Sequence, residues 1–128
     1  MDELIEKAIK LAKDYLKNSY SPYSGVKVAS VAITSSGEMF TGVNVENSSY
    51  GLSMCAERVA IFKAVSEGHR DIKTVVIVSN RDGFTYPCGA CLQVMSEFNV
   101  ETVVVTSPNG EVRVHRLSEL LPMPFKLK

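Results

Sequence analysis

Three cysteines carry the clearest chemistry in this sequence. Cys55 begins the triplet Cys55-Ala56-Glu57, and Cys88 and Cys91 stand three residues apart further along the chain. Thiolates are strong ligands for zinc, and a site with three protein ligands keeps its fourth tetrahedral position for water or substrate, as catalytic zinc sites do. The cysteines therefore predict a catalytic zinc site that holds one zinc ion per chain.

Glu57 is predicted to move protons beside this metal. Zinc lowers the pKa of a bound water from about 15.7 to about 7. A nearby carboxylate that is not itself a ligand can then take the proton and pass it to a substrate. Arg58, the next residue, can donate hydrogen bonds to the sulfurs and offset the negative charge of three thiolates.

Both cysteine groups are predicted to begin helices. Apolar residues follow Cys55 as far as a helix end near Gly68, and they recur at steps of three and four after Pro87. A spacing of three places Cys88 and Cys91 on one face of a helical turn. The positive end of a helix dipole favours thiolate over thiol, which is the form a metal requires.

The remaining segments predict one further helix and five strands. The helix is amphipathic, runs from Met1 to about Asn18 and uses Asp2 as its N-cap. The strands are expected near Val28–Thr34, Met39–Val43, Lys73–Ser79, Thr102–Thr106 and Glu111–His115. Strands interleaved with helices predict an α/β fold, a three-layer α/β/α sandwich with a mixed five-stranded sheet.

Length and composition predict a single domain over residues 1–128 that acts on a small molecule. With 128 residues, 45% of them hydrophobic, the chain suits one ordinary core and is too short for two. The 14 basic and 14 acidic residues balance, so charge gives no reason to bind nucleic acid. No apolar run approaches the roughly 18 residues of a membrane span. The charged first twenty residues are unlike a secretory signal, and cysteines committed to metal suit a reducing cytoplasm.

Several motifs, in the same order, resemble the small homotetrameric zinc-dependent cytidine deaminases. The matching segments are Ser21-Pro22-Tyr23-Ser24, Gly42-Val43-Asn44-Val45-Glu46-Asn47, Cys55-Ala56-Glu57-Arg58, Pro87-Cys88-Gly89-Ala90-Cys91, Gln93-Val94-Met95 and Glu119-Leu120-Leu121-Pro122. The resemblance implies hydrolytic deamination of cytidine or deoxycytidine to uridine or deoxyuridine plus ammonia, as in pyrimidine salvage. In that reaction the three cysteines bind zinc, a zinc-bound hydroxide attacks C4 of the pyrimidine, and Glu57 is the proton shuttle.

The resemblance also implies which residues contact the nucleoside. Asn44 and Glu46 match positions that hydrogen-bond the ribose 3′-hydroxyl, and the backbone amide of Ala56 would meet the pyrimidine carbonyl. Residues that match Tyr50 and Phe125 reach into a neighbouring subunit's site, which would couple activity to the homotetramer.

Two departures from the family pattern bear on substrate range and rate. Val26 stands where relatives usually carry an aromatic residue that stacks on the pyrimidine, a contact worth about 1–3 kcal/mol. Leu92 stands where relatives tend to carry arginine, which leaves Arg58 alone to offset the charge of the metal cluster.

Other functions stay open at this point. Cys88 and Cys91 alone are equally typical of a dithiol redox pair, and a zinc-stabilised interaction module would keep the metal without catalysis. A deaminase of another cytosine nucleoside, such as blasticidin S, is a third alternative, although enzymes of that type lack a carboxylate at the position of Glu46. Neither His69 nor His115 is predicted as a ligand, since both are expected to be solvated.

Overall fold

The computed structural model describes residues 2–128 and contains one mixed sheet with helices on both faces. The strands are β1 (Val28–Thr34), β2 (Met39–Val43), β3 (Ile72–Ser79), β4 (Thr102–Thr106) and β5 (Val112–Arg116). The helices are α1 (Glu3–Tyr15), α2 (Ala56–Ser66), α3 (Gly89–Glu97) and α4 (Leu117–Leu120), with 3-10 turns at Leu16–Asn18 and Tyr50–Leu52.

The strand order is β2-β1-β3-β4-β5, so β2 and β5 are the two edges of the sheet. Strands β3 and β4 run parallel, and every other neighbouring pair is antiparallel. The two parallel strands lie at the centre, buried from both sides, which explains their unbroken runs of valine and isoleucine. The predicted mixed five-stranded sheet is therefore confirmed.

Two cores, one on each face of the sheet, make the three layers. On one face α1 buries Ala8, Ile9 and Ala12 against alternate residues of β1. On the other face of the sheet, Ile61 of α2 and Met95 of α3 are buried in a core with residues of β1, β3 and β4. Side chains of a strand alternate between its two faces, so one strand can contribute to both cores.

The element boundaries agree closely with the prediction, and the differences lie at the ends of α1, β3 and β5. The backbone N–H of Leu4 donates to the Asp2 carboxylate at 2.8 Å, which confirms the predicted cap of α1. The predicted helix start at Met1 lies outside the described residues, and the segment Leu16–Asn18 is a 3-10 turn instead of α-helix. Strand β5 begins one residue later than predicted, because Glu111 closes the preceding turn through its backbone.

Gly42 sets how closely β2 and α2 approach each other. A Cβ atom at this position would lie 2.4 Å from the carbonyl oxygen of Ala56 and 2.4 Å from the backbone nitrogen of Ala60. Only glycine allows backbone atoms to come this close. The first turn of α2, which carries Glu57, is thus packed directly on the edge strand.

Candidate active site

The three cysteines lie where two helices begin, as predicted. Cys55 is the N-cap of α2 and Cys88 is the N-cap of α3, while Cys91 lies in the first turn of α3. The carbonyl of Cys88 accepts the backbone N–H of Leu92 at 3.0 Å, which starts the helix. Backbone N–H groups in the first turn of a helix lack intrahelical partners, so both helix ends present positive potential to the sulfurs.

The sulfur atoms have the spacing that a tetrahedral zinc ion requires. Cys55 Sγ lies 3.9 Å from Cys88 Sγ, and Cys88 Sγ lies 3.5 Å from Cys91 Sγ. All three sulfurs fall within 4.8 Å of one another. Zn–S bonds of about 2.3 Å at tetrahedral angles separate neighbouring sulfurs by about 3.8 Å. All three cysteines are free thiols, and the cluster is suited to zinc.

Arg58 supports negative charge on this cluster. Its Nη2 donates to Cys55 Sγ at 3.4 Å. Hydrogen bonds from Cys91 and then from Arg58 lower the pKa of Cys55 to about 5, although burial opposes the shift. The same bond to Cys55 raises the pKa of the Arg58 guanidinium further above its usual range. Hydrogen bonding to Cys55, together with burial, raises the pKa of Cys91. The guanidinium is thus a fixed positive charge beside the ligand sulfurs.

Glu57 is buried next to the sulfurs. The residue is only 4% exposed although it carries a carboxyl group. Burial raises its pKa to about 7, and the nearby charge of Cys55 acts in the same direction. A carboxyl group that titrates near neutral pH can both accept and return a proton.

A cavity of about 260 Å³ opens beside the cysteines. Its walls include Asn44, Glu46, Cys55, Ala56, Glu57 and Cys88, so the structure brings these predicted residues to one place. A larger hollow of about 700 Å³ lies elsewhere, beside Asn99 and Arg116, and none of the predicted site residues borders it. The smaller cavity is the candidate active site because two of the predicted metal ligands, Cys55 and Cys88, and the predicted proton shuttle Glu57 line it.

Asn44 forms part of the cavity wall and fixes the chain in front of β1. Its side-chain oxygen accepts hydrogen bonds from the Ser19 hydroxyl and from the backbone N–H of Val28, the latter at 2.9 Å. Its Nδ2 donates to the carbonyl of Val26 at 2.8 Å. An amide nitrogen has two N–H donors, so one donor is left for a ligand.

Glu46 is held by the loop that precedes β1. Its Oε1 accepts the backbone N–H groups of Tyr23 at 3.0 Å and Ser24 at 3.1 Å, and its Oε2 accepts the Ser24 hydroxyl. The hydrogen bond from the Ser24 side chain holds the pKa of Glu46 below its usual range. A carboxylate has about four acceptor positions, so these three bonds leave it able to accept one more.

Tyr50 and Phe125 do not border the cavity of their own chain. Tyr50 is 66% exposed and meets Tyr23 edge to face, with the ring centroids 6.0 Å apart. Phe125 is 69% exposed, and the Gln93 side chain holds its backbone through two hydrogen bonds of 2.9 and 3.2 Å. Their predicted role in a neighbouring subunit stays a prediction.

The sequence analysis missed Thr85 and Tyr86, which also line the cavity. Both lie in the loop between β3 and α3, shortly before Cys88 and Cys91, and this proximity was the only signal in the sequence. Both histidines, expected to be solvated, are partly exposed, and each also has a polar partner within the chain. His69 Nε2 lies 3.1 Å from a Glu38 carboxylate oxygen, and His115 Nε2 lies 2.9 Å from the Tyr86 hydroxyl.

A trio of sulfurs beside a buried carboxylate and a cavity is the arrangement of zinc-dependent enzymes that deaminate nucleobases. Residues 2–107 match the family model described as the cytidine and deoxycytidylate deaminase zinc-binding region. The chain belongs to this family.

Individual relatives agree with the family assignment. A probable cytidine deaminase from Dictyostelium discoideum is 45% identical over 124 residues, which cover 96% of this chain and 84% of the relative. The crystal structure of cytidine deaminase from Burkholderia pseudomallei superposes with a TM-score of 0.89 at 41% identity, covering 98% of this chain and 100% of the other. A blasticidin-S deaminase from Bacillus cereus is 27% identical over 132 residues, or 96% of this chain and 90% of the relative.

Proposed function

We propose that this chain catalyses the hydrolytic deamination of cytidine, and of deoxycytidine, to the corresponding uridine and ammonia. The observation that carries the proposal is the position of Glu57, buried in the wall of a cavity that Cys55 and Cys88 also line. Relatives that cover most of this chain are named cytidine deaminases. We propose further that residues 1–128 act as one deaminase domain.

The metal would be held by Cys55, Cys88 and Cys91, whose spacing fits zinc. When bound, zinc supplies Lewis acidity and lowers the pKa of a water to about 7. Glu57 takes a proton from the attacking water at its carboxylate and delivers it to N3 of the pyrimidine. It then takes the proton of the hydroxyl that has been added to C4 and delivers it to the amine, which leaves C4 as ammonia while the C4 carbonyl forms. Its burial keeps this proton from exchanging with bulk water during the transfer. Arg58 donates to the Cys55 sulfur and so disperses the charge of the thiolates.

The nucleoside would be held by groups that the chain has already oriented. The free N–H of Asn44 donates to the ribose 3′-hydroxyl, and that hydroxyl donates to the remaining acceptor position of Glu46. The backbone N–H of Ala56, in the first turn of α2, donates to the pyrimidine carbonyl. A site built around a hydroxyl in this way rejects a sugar that lacks it, because its own polar groups would be left unpaired.

The proposal extends to a homotetramer with shared active sites. Tyr50 and Phe125 are highly exposed aromatic side chains outside the cavity of their own chain, which suits residues that act in a neighbouring subunit. Light scattering would give the number of subunits directly. We also propose a cytoplasmic location, which suits an enzyme that depends on three free thiols. A role in pyrimidine salvage is part of the same proposal, because the proposed reaction converts one pyrimidine nucleoside into another. No helix within residues 2–128 is long and apolar enough to cross a membrane.

Specific observations disfavour the alternatives. Among the described residues, the metal-ligand cluster consists of three sulfurs with no fourth side chain, whereas structural zinc sites have four protein ligands. A simple redox pair gives no role to Cys55, which lies 3.9 Å from Cys88. Glu46 lines the cavity and offers an acceptor to a ribose hydroxyl, which favours cytidine over blasticidin S.

The test is an assay of the zinc-loaded enzyme on cytidine, deoxycytidine and blasticidin S, followed by ultraviolet absorbance. The variant Glu57→Gln should bind zinc and fold normally while losing about 10²–10⁴-fold in turnover, as expected for a group that transfers protons. Glu67→Gln, at an exposed position after α2, is the matched control and should be as active as the wild type. Normal turnover by Glu57→Gln would remove Glu57 from the mechanism, and an inactive wild type would refute the function.

A further inference from the structure

We propose that Tyr86 forms the aromatic wall of the pyrimidine subsite and that His115, on the edge strand β5, holds its ring in position. This inference rests on the proposed function and names a specificity-determining residue for the same reaction. It begins from the lining of the 260 Å³ cavity.

Tyr86 is the only aromatic residue among the described residues that line this cavity. It lies two residues before Cys88 in the chain, and the cavity that it lines is also lined by Cys55 and Cys88, two of the metal ligands, where the reactive part of a pyrimidine must sit. Val26, by contrast, does not border the cavity. A flat aromatic base is bound well by a flat aromatic side chain, because stacking buries both faces without requiring a particular hydrogen-bond pattern.

The ring of Tyr86 is held by contacts that do not involve the substrate. Its hydroxyl lies 2.9 Å from His115 Nε2, and the two rings are 5.4 Å apart at 54°. His115 Nδ1 lies 3.7 Å from a carboxylate oxygen of Glu119. When the proton of His115 is on Nδ1, this nitrogen presents an N–H donor to the Glu119 carboxylate, and Nε2 accepts a hydrogen bond from the Tyr86 hydroxyl. Glu119 is fixed in turn, because it accepts the backbone N–H of Arg116 at 3.0 Å.

The same face of β5 supports a second aromatic residue of the loop. The guanidinium of Arg113 lies 4.1 Å from the centroid of the Phe84 ring. Arg113 and His115 are two residues apart on a strand and therefore point to the same side of the sheet. Arg113 contacts Phe84 and His115 contacts Tyr86, so two residues of the strand pair with two residues of the loop at the same spacing. These two contacts hold the loop against β5 at both Phe84 and Tyr86. The hydroxyl of Tyr86 is thus anchored before any base binds, which reduces the ordering cost of binding.

The test compares two substitutions of Tyr86 with a tyrosine elsewhere. Tyr86→Leu removes the ring, Tyr86→Phe removes only the hydroxyl, and Tyr15→Leu, near the end of α1, is the control. For each variant we would measure KM and kcat for cytidine, the Kd of the product uridine by calorimetry, and the zinc content. Uridine binding separates a role in holding the base from a role in the chemical step.

Loss of the ring should weaken binding with little change in chemistry. Tyr86→Leu should raise KM and the uridine Kd about 5- to 100-fold, equivalent to about 1–3 kcal/mol, with kcat and zinc content near the wild-type values. Tyr86→Phe should raise both constants about 2- to 10-fold through loss of one hydrogen bond. His115→Leu should match Tyr86→Phe, and His115→Gln, which can still accept from the hydroxyl, should restore wild-type binding.

The outcomes separate this inference from the proposed function. A wild-type protein that neither deaminates cytidine nor binds uridine would refute the function itself. An active wild type with unchanged KM and uridine Kd in Tyr86→Leu would overturn the inference and leave the function intact. If Tyr86→Leu fails to fold or loses zinc, Tyr86→Phe and His115→Leu decide. Weaker uridine binding in both supports the inference, and wild-type binding in both overturns it.

Discussion

Replacing Gly42 by alanine should displace the first turn of α2 and with it part of the metal site. The added Cβ would lie 2.4 Å from the Ala56 carbonyl oxygen and 2.4 Å from the Ala60 nitrogen. Carbon atoms in good contact stand about 3.5–4.0 Å from their neighbours. Both clashing atoms belong to the backbone, so no side-chain rotation relieves them, and the helix and strand must separate by about 1 Å.

The size of the effect follows from this geometry. Forcing an extra methyl group into a packed core costs about 1–3 kcal/mol, and two simultaneous backbone clashes put Gly42→Ala at about 3 kcal/mol. For a domain of this length such a loss lowers Tm by roughly 10–15 °C. Cys55 and Glu57 move with the displaced turn, and a misplacement of about 1 Å can cost about 100-fold in rate. Stability and turnover should therefore fall together.

Thermal denaturation, zinc content and cytidine turnover would be measured on the same preparation of Gly42→Ala. Gly51→Ala is the control for stability, because a Cβ at Gly51 meets no atom within 4 Å. The control should unfold at the wild-type temperature. A Gly42→Ala protein with wild-type Tm and wild-type turnover would show that α2 and β2 can move apart freely, which would refute the reasoning.

Two further predictions concern charge. Arg58→Gln should weaken zinc retention or slow turnover about 10–100-fold, because the guanidinium that contacts Cys55 Sγ at 3.4 Å is lost. Competition with a coloured chelator measures zinc retention, and Arg70→Gln, at an exposed position, is the control. Unchanged zinc retention together with unchanged turnover in Arg58→Gln would contradict the role assigned to Arg58. Glu46 should stabilise the fold in a pH-dependent way, because its hydrogen bonds hold its pKa below the ordinary value of 4.5. The stabilisation is complete above that value and is lost as the pH falls through the lower folded pKa. Glu46→Gln should lack this acid-dependent loss, and identical acid-unfolding curves for variant and wild type would be the contrary result.

The sequence predicts the sheet and the metal ligands because their signals are local. Unbroken runs of β-branched residues such as Val103–Val105 are typical of buried strands, and helix-start signals lie at Cys55 and at Pro87-Cys88. The contact between Tyr86 and His115 joins residues 29 positions apart and has no local signature. The role of Gly42 was equally hidden, since a glycine in a strand does not say which helix will pack on it.

The support of the metal site comes from both edges of the sheet. Helix α2, which begins at Cys55, rests on β2, the edge strand on one side, through the close approach at Gly42. The loop before α3, which leads into Cys88, rests on β5, the edge strand on the other side, through His115. The three strands between these edges therefore set the separation of the two helix starts. Because twist and spacing in a hydrogen-bonded sheet are narrowly constrained, the sulfur spacing that fits zinc depends on the whole width of the sheet.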